Sequence, residues 1–377
     1  MTRYCFCAKI IPNENRKEQN MKIKLISIIL TFILSLSTAS LLSACNDKDG
    51  NENTSGSESE NGTREEETFA PPIDVADADD ICFVLSSDES SYAVYGIFNE
   101  SGAKKVVIPS EYLGLPVTAI GEEAFYSSEP LETIVIPDTV THIGSYAFDG
   151  CANLKAVEMS SNLVYIGDGA FEGCDSLELT KYDNALYLGS ADSPYTILMR
   201  AADYGLESCN VHENTKIIYD YAFYECYDVN EITIPNGIRH VGSYAFDECY
   251  DLFPTYSDYE NVYYLGNDEN PYLVLVSPKV KRDITSITIH ENTEIIAPGA
   301  FLGCESLTSI TLPDNIRVIG QYAFEGCAKL TSVTLPKSQW RVVNGESVSV
   351  LLFINTEDSD VANRLVEVYY YCTWQKK

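Results

Sequence analysis

The chain has 377 residues, 45% hydrophobic and 11% aromatic, enough for one or two packed domains. Its formal charge is -31. Residues 1–44 carry 6 basic and 2 acidic side chains, so the remainder holds 19 basic against 54 acidic residues. A surface of that sign repels phosphate backbones and anionic headgroups, so nucleic acid is not expected as a partner.

Residues 1–20 fit no export pattern, and Met21 is read as the true start. Residues 21–44 then read as a secretory signal. Lys22 and Lys24 precede Leu25 to Leu42, 18 residues without a charge, and Leu42-Ser43-Ala44-Cys45 follows directly. A run of that length also suits a spanning helix. Its six Ser and Thr residues and the small residues at its end favour cleavage, with ordinary secretion or an uncleaved anchor as the other readings. The Leu-Ser-Ala-Cys string resembles the bacterial lipobox, which implies lipidation of Cys45 and a membrane-anchored mature end. Two acyl chains suffice for stable anchoring. Residues 45–80 hold 12 acidic and 2 basic side chains among Asn, Ser and Gly, and read as a disordered acidic linker.

From residue 81 the sequence repeats. Ala-Phe recurs at Phe125, Phe148, Phe171, Phe223, Phe246, Phe301 and Phe324, spaced 23, 23, 52, 23, 55 and 23 residues apart. Each unit has a short strand such as Ile134-Val135-Ile136 or Ile310-Thr311-Leu312, then a Pro-Asx turn. A second apolar segment ends in Gly144, Gly167, Gly242 or Gly320, and Ala-Phe closes the unit with Cys three residues later. A 23-residue coil cannot enclose a core alone, whereas stacked coils cover one another. Nine or ten coils at about 4.8 Å each would make a rod of roughly 45 Å.

The strings IPDTVTHIGSYAFDGC from Ile136 and LPDNIRVIGQYAFEGC from Leu312 resemble the BspA-like leucine-rich repeats of bacterial surface proteins, over about Lys105 to Pro336. The resemblance implies a β-rich α/β solenoid, a leucine-rich repeat right-handed superhelix with 23-residue coils, and a link to adhesion. The two long gaps match each other, Tyr182 to Gly189 with Tyr259 to Gly266, and read as hairpin insertions that project from modified coils. The solenoid is assigned to residues 81–336, with an N-terminal cap over about 81–104 and a C-terminal cap over 337–377. In the caps, Ile81 to Leu85, Tyr92 to Phe98, Val348 to Ile354 and Val368 to Tyr371 read as strands, and Asp358 to Leu365 as a short helix.

Candidate chemistry is sparse. Cys151, Cys174, Cys226, Cys249, Cys304 and Cys327 share one repeat position and read first as a reduced core ladder, with disulfides or metal as alternatives. His142 and His240 share a position, as do His212 and His290, and a straight stack keeps each pair apart, on turns or at the surface. The acids around Asp258, Glu260 and Asp268-Glu269-Asn270 suit turns better than calcium. Tyr146, Tyr221, Tyr244 and Tyr322 are expected to pack along one side. No catalytic, cofactor or metal residues are assigned, and no enzyme is expected. Ligand contact is assigned to the hairpin tyrosines Tyr187, Tyr195, Tyr263, Tyr264 and Tyr272 and to Thr288, Thr311 and Thr334 of a polar strand ribbon, with packing and strand propensity as the plain alternatives. The expected function is a lipid-anchored, cell-surface, adhesin-like protein for host or microbial protein or glycan. The alternative is a structural scaffold or spacer without a soluble ligand.

Overall fold

The computed structural model describes residues 75–376, with breaks at 77, 79, 87, 99–101, 253–256, 260, 336–337, 345–346, 355–360 and 361–372. The signal segment 21–44, Cys45, most of the linker, the helix expected at Asp358 to Leu365 and the strand expected at Val368 to Tyr371 lie outside the described residues.

The chain is a β-solenoid. Each regular coil has two short strands, and each strand pairs in parallel with its equivalent in the next coil. On the first side, Thr133–Val135 lies between Lys105–Val107 and Ala156–Glu158. On the second side, His142–Ile143 lies between Leu115–Ile120 and Tyr165–Ile166. Among the described residues the helical content is one 3-10 turn, Tyr250–Leu252. The α/β description is therefore corrected: the third side of each coil is a run of tight turns through Ala-Phe-X-X-Cys, which leaves no length for a helix.

That side is also hydrogen-bonded between coils. Tyr146 N–H donates to the Asp168 carbonyl at 2.9 Å and Phe148 N–H to the Ala170 carbonyl at 2.8 Å. Inside it the phenylalanines stack, Phe125 on Phe148 at 5.2 Å and Phe148 on Phe171 at 5.1 Å, and all are buried. Their contact is offset stacking at about the coil spacing.

Two repeat positions have a backbone reason. The glycine after the second strand needs close approach: a Cβ on Gly167 would stand 2.4 Å from Ser145 N, and one on Gly320 would stand 2.4 Å from Pro298 N. The residue before Ala-Phe is left-handed in every regular coil. Glu123, Tyr146, Gly169, Tyr221, Tyr244, Gly299 and Tyr322 have φ of 53, 55, 63, 56, 56, 63 and 56°. A non-glycine residue there costs roughly 1–2 kcal/mol.

The insertions do not project as free hairpins. Thr180–Tyr182, Ala185–Ser190 and Ser193–Ala201 form an antiparallel meander whose last strand joins the second-side sheet, Ile197 and Leu198 pairing in parallel with Ile217 and Ile218. The second insertion repeats this with Ser257–Tyr259, Val262–Leu265 and Val274–Pro278, and Val274–Leu275 meets Ile295–Ile296. Tyr187, Leu188, Ile197 and Leu198 of the first insertion and Tyr264, Leu265, Val274 and Leu275 of the second are buried, which a hairpin projecting into solvent would not achieve.

The stack is not a straight rod. Gln321 Nε2 lies 2.5 Å from Asp168 Oδ2 and 2.7 Å from Ser243 Oγ. Six coil steps separate residues 168 and 321, or roughly 29 Å in a straight ladder. The coils instead form three blocks, and Tyr165, His240 and Val318 hold one position in successive blocks, 75 and 78 residues apart. The blocks remain joined on the first side, where Ala185–Ser190 lies beside Ala156–Glu158 and Ile234 N–H donates to the Gly266 carbonyl at 2.8 Å. Insertion coils lack the Ala-Phe corner, so at that corner the coils on either side of the first insertion meet directly.

At the ends, Ile81–Leu85 and Tyr92–Ile97 form an antiparallel pair that continues the second-side sheet. Val75–Ala76 pairs in parallel with Lys105–Val106, and Ala76 is fully buried. The folded unit thus reaches into the stretch assigned to the linker, because Ala76 supplies an apolar side chain over the first coil. Thr373–Lys376 pairs antiparallel with Val318–Ile319 and closes the last coil with Ser338–Asn344 and Ser347–Ile354.

Gly167→Ala is expected to lower stability by about 2 kcal/mol. Gly205→Ala, whose Cβ would meet nothing nearer than Asp203 Oδ1 at 3.6 Å, should stay within about 0.5 kcal/mol of wild type. Urea midpoints of the two variants check this.

Candidate functional site

The first-side surface is three sheets rather than one ribbon. In the first block it carries an ion-pair ladder, with Glu132 held by Lys155 at 2.8 Å and Lys104 at 3.4 Å. In the third block it becomes a hydroxyl face. Ser286–Thr288, Ser309–Thr311 and Ser332–Thr334 lie in register, so Ser286, Ser309 and Ser332 form one column and Thr288, Thr311 and Thr334 another. Thr285, Thr308 and Thr331 add a third, in which the Thr308 hydroxyl donates to the Thr285 carbonyl at 3.0 Å. All nine residues are exposed, while Ile310 and Val333 point into the core.

The hairpin tyrosines divide. Tyr187 and Tyr264 are fully buried, so their assignment as ligand contacts is corrected. Strand alternation turns these two rings inward, where each phenol oxygen accepts the N–H of His212 or His290 at 3.3 Å. Tyr195 and Tyr272 are half-buried and stack on the same histidines at 3.9 and 3.7 Å. Tyr182 and Tyr259 complete the twin clusters edge-on, at 4.6 and 4.9 Å from the imidazoles. Their identical spacing before the Gly in both insertions was the available signal for them. The Tyr263 ring lies under the Lys279 ammonium at 5.4 Å. Thus Tyr195, Tyr272, Tyr182 and Tyr259 reach the surface through half-covered aromatic clusters, and His212 and His290 are packed members of them.

The repeat cysteines are free and buried. Four thiols donate to the carbonyl of the phenylalanine in the preceding coil: Cys151 to Phe125, Cys174 to Phe148 and Cys249 to Phe223 at 3.1 Å, and Cys327 to Phe301 at 3.3 Å. Burial pushes the Cys249 and Cys327 thiols up to about 12. This favours the neutral donor over a reactive thiolate. The acidic loop at residues 267–270 is tied into turns. Asn267 Oδ1 accepts the Glu269 and Asn270 amides, and Asn236 Nδ2 donates to Glu269 Oε2 at 3.0 Å. Among the described residues no group of three His, Cys, Asp or Glu side chains is arranged to hold a metal ion.

The bend makes one polar cluster that periodicity does not announce. Asp220 Oδ2 accepts the Gly169 amide at 3.0 Å, and the Tyr219 hydroxyl accepts the Phe171 amide at 2.8 Å. These are the amides that find a backbone carbonyl in a regular coil. Asp220 Oδ1 accepts the Ser243 amide at 2.8 Å, and Asp168 accepts from Gln321. Arg239 donates to the Leu163 carbonyl at 3.0 Å, and Arg317 repeats this one block later on the Ile238 carbonyl. The expected separation of His142 and His240 is corrected as well. Both flank Tyr165, at 6.1 and 4.9 Å between rings, because the bend brings the block ends together.

A leucine-rich-repeat β-solenoid is the class that these coils define. A family profile for the BspA type leucine rich repeat region matches residues 94–190, 202–267 and 280–346 in six copies, and the chain belongs to that family. Among solved structures, it is similar to a leucine rich repeat protein of T. pallidum, at 22% identity and a TM-score of 0.32, over 67% of this chain and 89% of that one. It is also similar to a leucine rich cell surface protein of Faecalibacterium prausnitzii, at 24% identity and a TM-score of 0.30, over 68% and 75%. A leucine-rich repeat protein of Bacteroides ovatus matches at 22% identity and a TM-score of 0.25, over 68% and 87%. The search of curated proteins gave no match.

The cluster has opposed pH signatures. Burial, then the charge of Asp168, pushes the Asp220 carboxyl up from 3.8 to about 7. The folded chain therefore keeps a proton that the unfolded chain has lost, and this group's stability is lost as pH rises from about 4 to about 7. Burial, then His142, pushes His240 from 6.5 down to about 3, so its contribution is lost as pH falls through that interval. Relative to wild type, Asp220→Asn is expected to gain melting temperature as pH is raised from about 4 to about 8. Thermal unfolding of both proteins across that series tests the sign.

Proposed function

We propose that this protein is a lipid-anchored surface binding protein, adhesin-like, tethered through Cys45 and held off the membrane by its acidic segment. Its ligands are host or microbial proteins or glycans. The hydroxyl face of the third block is the observation that carries this reading. It sets nine exposed Ser and Thr hydroxyls in three columns on a rigid parallel sheet. Hydroxyls serve as donor and acceptor at once, and a column spacing of about 4.8 Å offers many weak, regularly placed contacts to an extended partner. The Leu42-Ser43-Ala44-Cys45 string supports the anchor.

Two measurements test the proposal. Cys45→Ala should move the protein from the membrane fraction to the soluble fraction, and continued membrane association would remove the lipid anchor from the reading. Full-length protein on an array of glycans and matrix proteins should retain at least one ligand. The triple variant Thr288→Arg, Thr311→Arg, Thr334→Arg should weaken that ligand by about tenfold, or 1.4 kcal/mol, at an unchanged melting temperature. An array with no retained ligand would leave a scaffold or spacer as the better account.

A further inference from the structure

The turn side of the second block differs from that of every other block. Its two coils read Tyr221-Ala-Phe-Tyr-Glu-Cys-Tyr227 and Tyr244-Ala-Phe-Asp-Glu-Cys-Tyr250. The residue before each of these cysteines is left-handed, with φ of 60° at Glu225 and 64° at Glu248. The same position holds Gly150, Gly173, Gly303 and Gly326 in four other coils, with φ of 67 to 73°, and Ser127 in the first. Glycine is the unstrained choice there, and only the second block replaces it with a carboxylate. The position after each cysteine is Tyr in both coils and Glu129, Ala152, Asp175, Glu305 or Ala328 elsewhere.

These substitutions build one exposed surface. Tyr221 and Tyr244 are 53% and 46% exposed, and their rings stack at 5.2 Å and 14°. Tyr227 and Tyr250 are 45% and 58% exposed and stack at 5.8 Å and 14°. Tyr224 stands edge-on to Tyr221 at 5.5 Å. The carboxylates lie among these rings. Glu248 accepts the Tyr227 hydroxyl at 3.3 Å, and its charge also reaches Tyr224. The charge of Lys281 already acts on Asp247, the neighbour of Glu248.

Aromatic faces and carboxylates both attract cations, and a tyrosine face beside a carboxylate suits a planar guanidinium, which stacks on one and forms paired hydrogen bonds with the other. We propose that the Tyr221–Tyr250 face of the second block is a docking surface for an arginine-rich polypeptide segment, in which guanidinium groups stack on the tyrosine columns and pair with Glu225 and Glu248. This rests on the surface-binding reading and adds a second face with its own ligand chemistry. The occupant is basic because the surface is acidic, and arginine is preferred over lysine because only the guanidinium is flat.

Fluorescence anisotropy of labelled octa-arginine with the purified full-length chain tests the proposal, with octa-lysine as the charge-matched probe. Octa-arginine should bind about threefold or more tighter than octa-lysine. Glu225→Gly with Glu248→Gly, which restores the residue other coils carry, should fold at least as stably and weaken octa-arginine by about tenfold. Tyr227→Ser with Tyr250→Ser should weaken it by about fivefold. Glu158→Gln with Glu178→Gln removes the same charge elsewhere and should change binding by less than about twofold. Equal binding of the two peptides, or an equal loss from the Glu158 and Glu178 pair, would reduce the effect to net charge and overturn the proposal. The glycan and matrix array reads the other face, so a failure here leaves that result standing, and the reverse holds too.

Discussion

The structure depends on where each coil sends its corner amides. In a regular coil the amides before and at the repeat phenylalanine donate to carbonyls of the next coil, as Tyr146 does to Asp168 and Phe148 to Ala170. Buried amides without partners are costly. An insertion coil without that corner therefore leaves two donors to be met by other means. The Asp220 carboxyl group and the Tyr219 hydroxyl accept the Gly169 and Phe171 amides, and the stack turns at this point. At this replacement Ser243 comes beside Asp168 and His240 beside Tyr165.

The same corner accounts for the cysteines. A thiol at this place fills a small apolar volume and points its S–H at the phenylalanine carbonyl one coil back. Cys226 and Cys304 stand in the first regular coil after an insertion, where the preceding coil carries no repeat phenylalanine, and both are buried. The position thus tolerates Ser128 in the first coil, where a hydroxyl offers a donor of similar size.

Much of this was legible from the chain alone, and the limits have physical causes. The 23-residue spacing of Ala-Phe gave the coil, and the shared pattern of the two long gaps gave paired insertions. Periodicity aligns equivalent residues but carries no information about contacts between residues six coils apart, so Asp168 and Gln321 could not be paired. The period-2 alternation of the insertion strands marked Tyr187 and Tyr195 alike as aromatic. Facing depends on which strand edge joins the second-side sheet, and Tyr187 turned inward while Tyr195 did not. Thr288, Thr311 and Thr334 are exposed, as outward strand positions of the repeat require, because strand register follows directly from the repeat.

The block spacing of 75 to 78 residues has a consequence for how such a chain changes length. Arg239 reaches the Leu163 carbonyl and Arg317 the Ile238 carbonyl, one block apart each time. A change of length by a whole block would keep this Arg-to-carbonyl spacing. Gain or loss of one coil within a block would rotate all that follows, and strand each arginine opposite the wrong carbonyl. The unit that must stay whole for both reaches is therefore the block rather than the single coil.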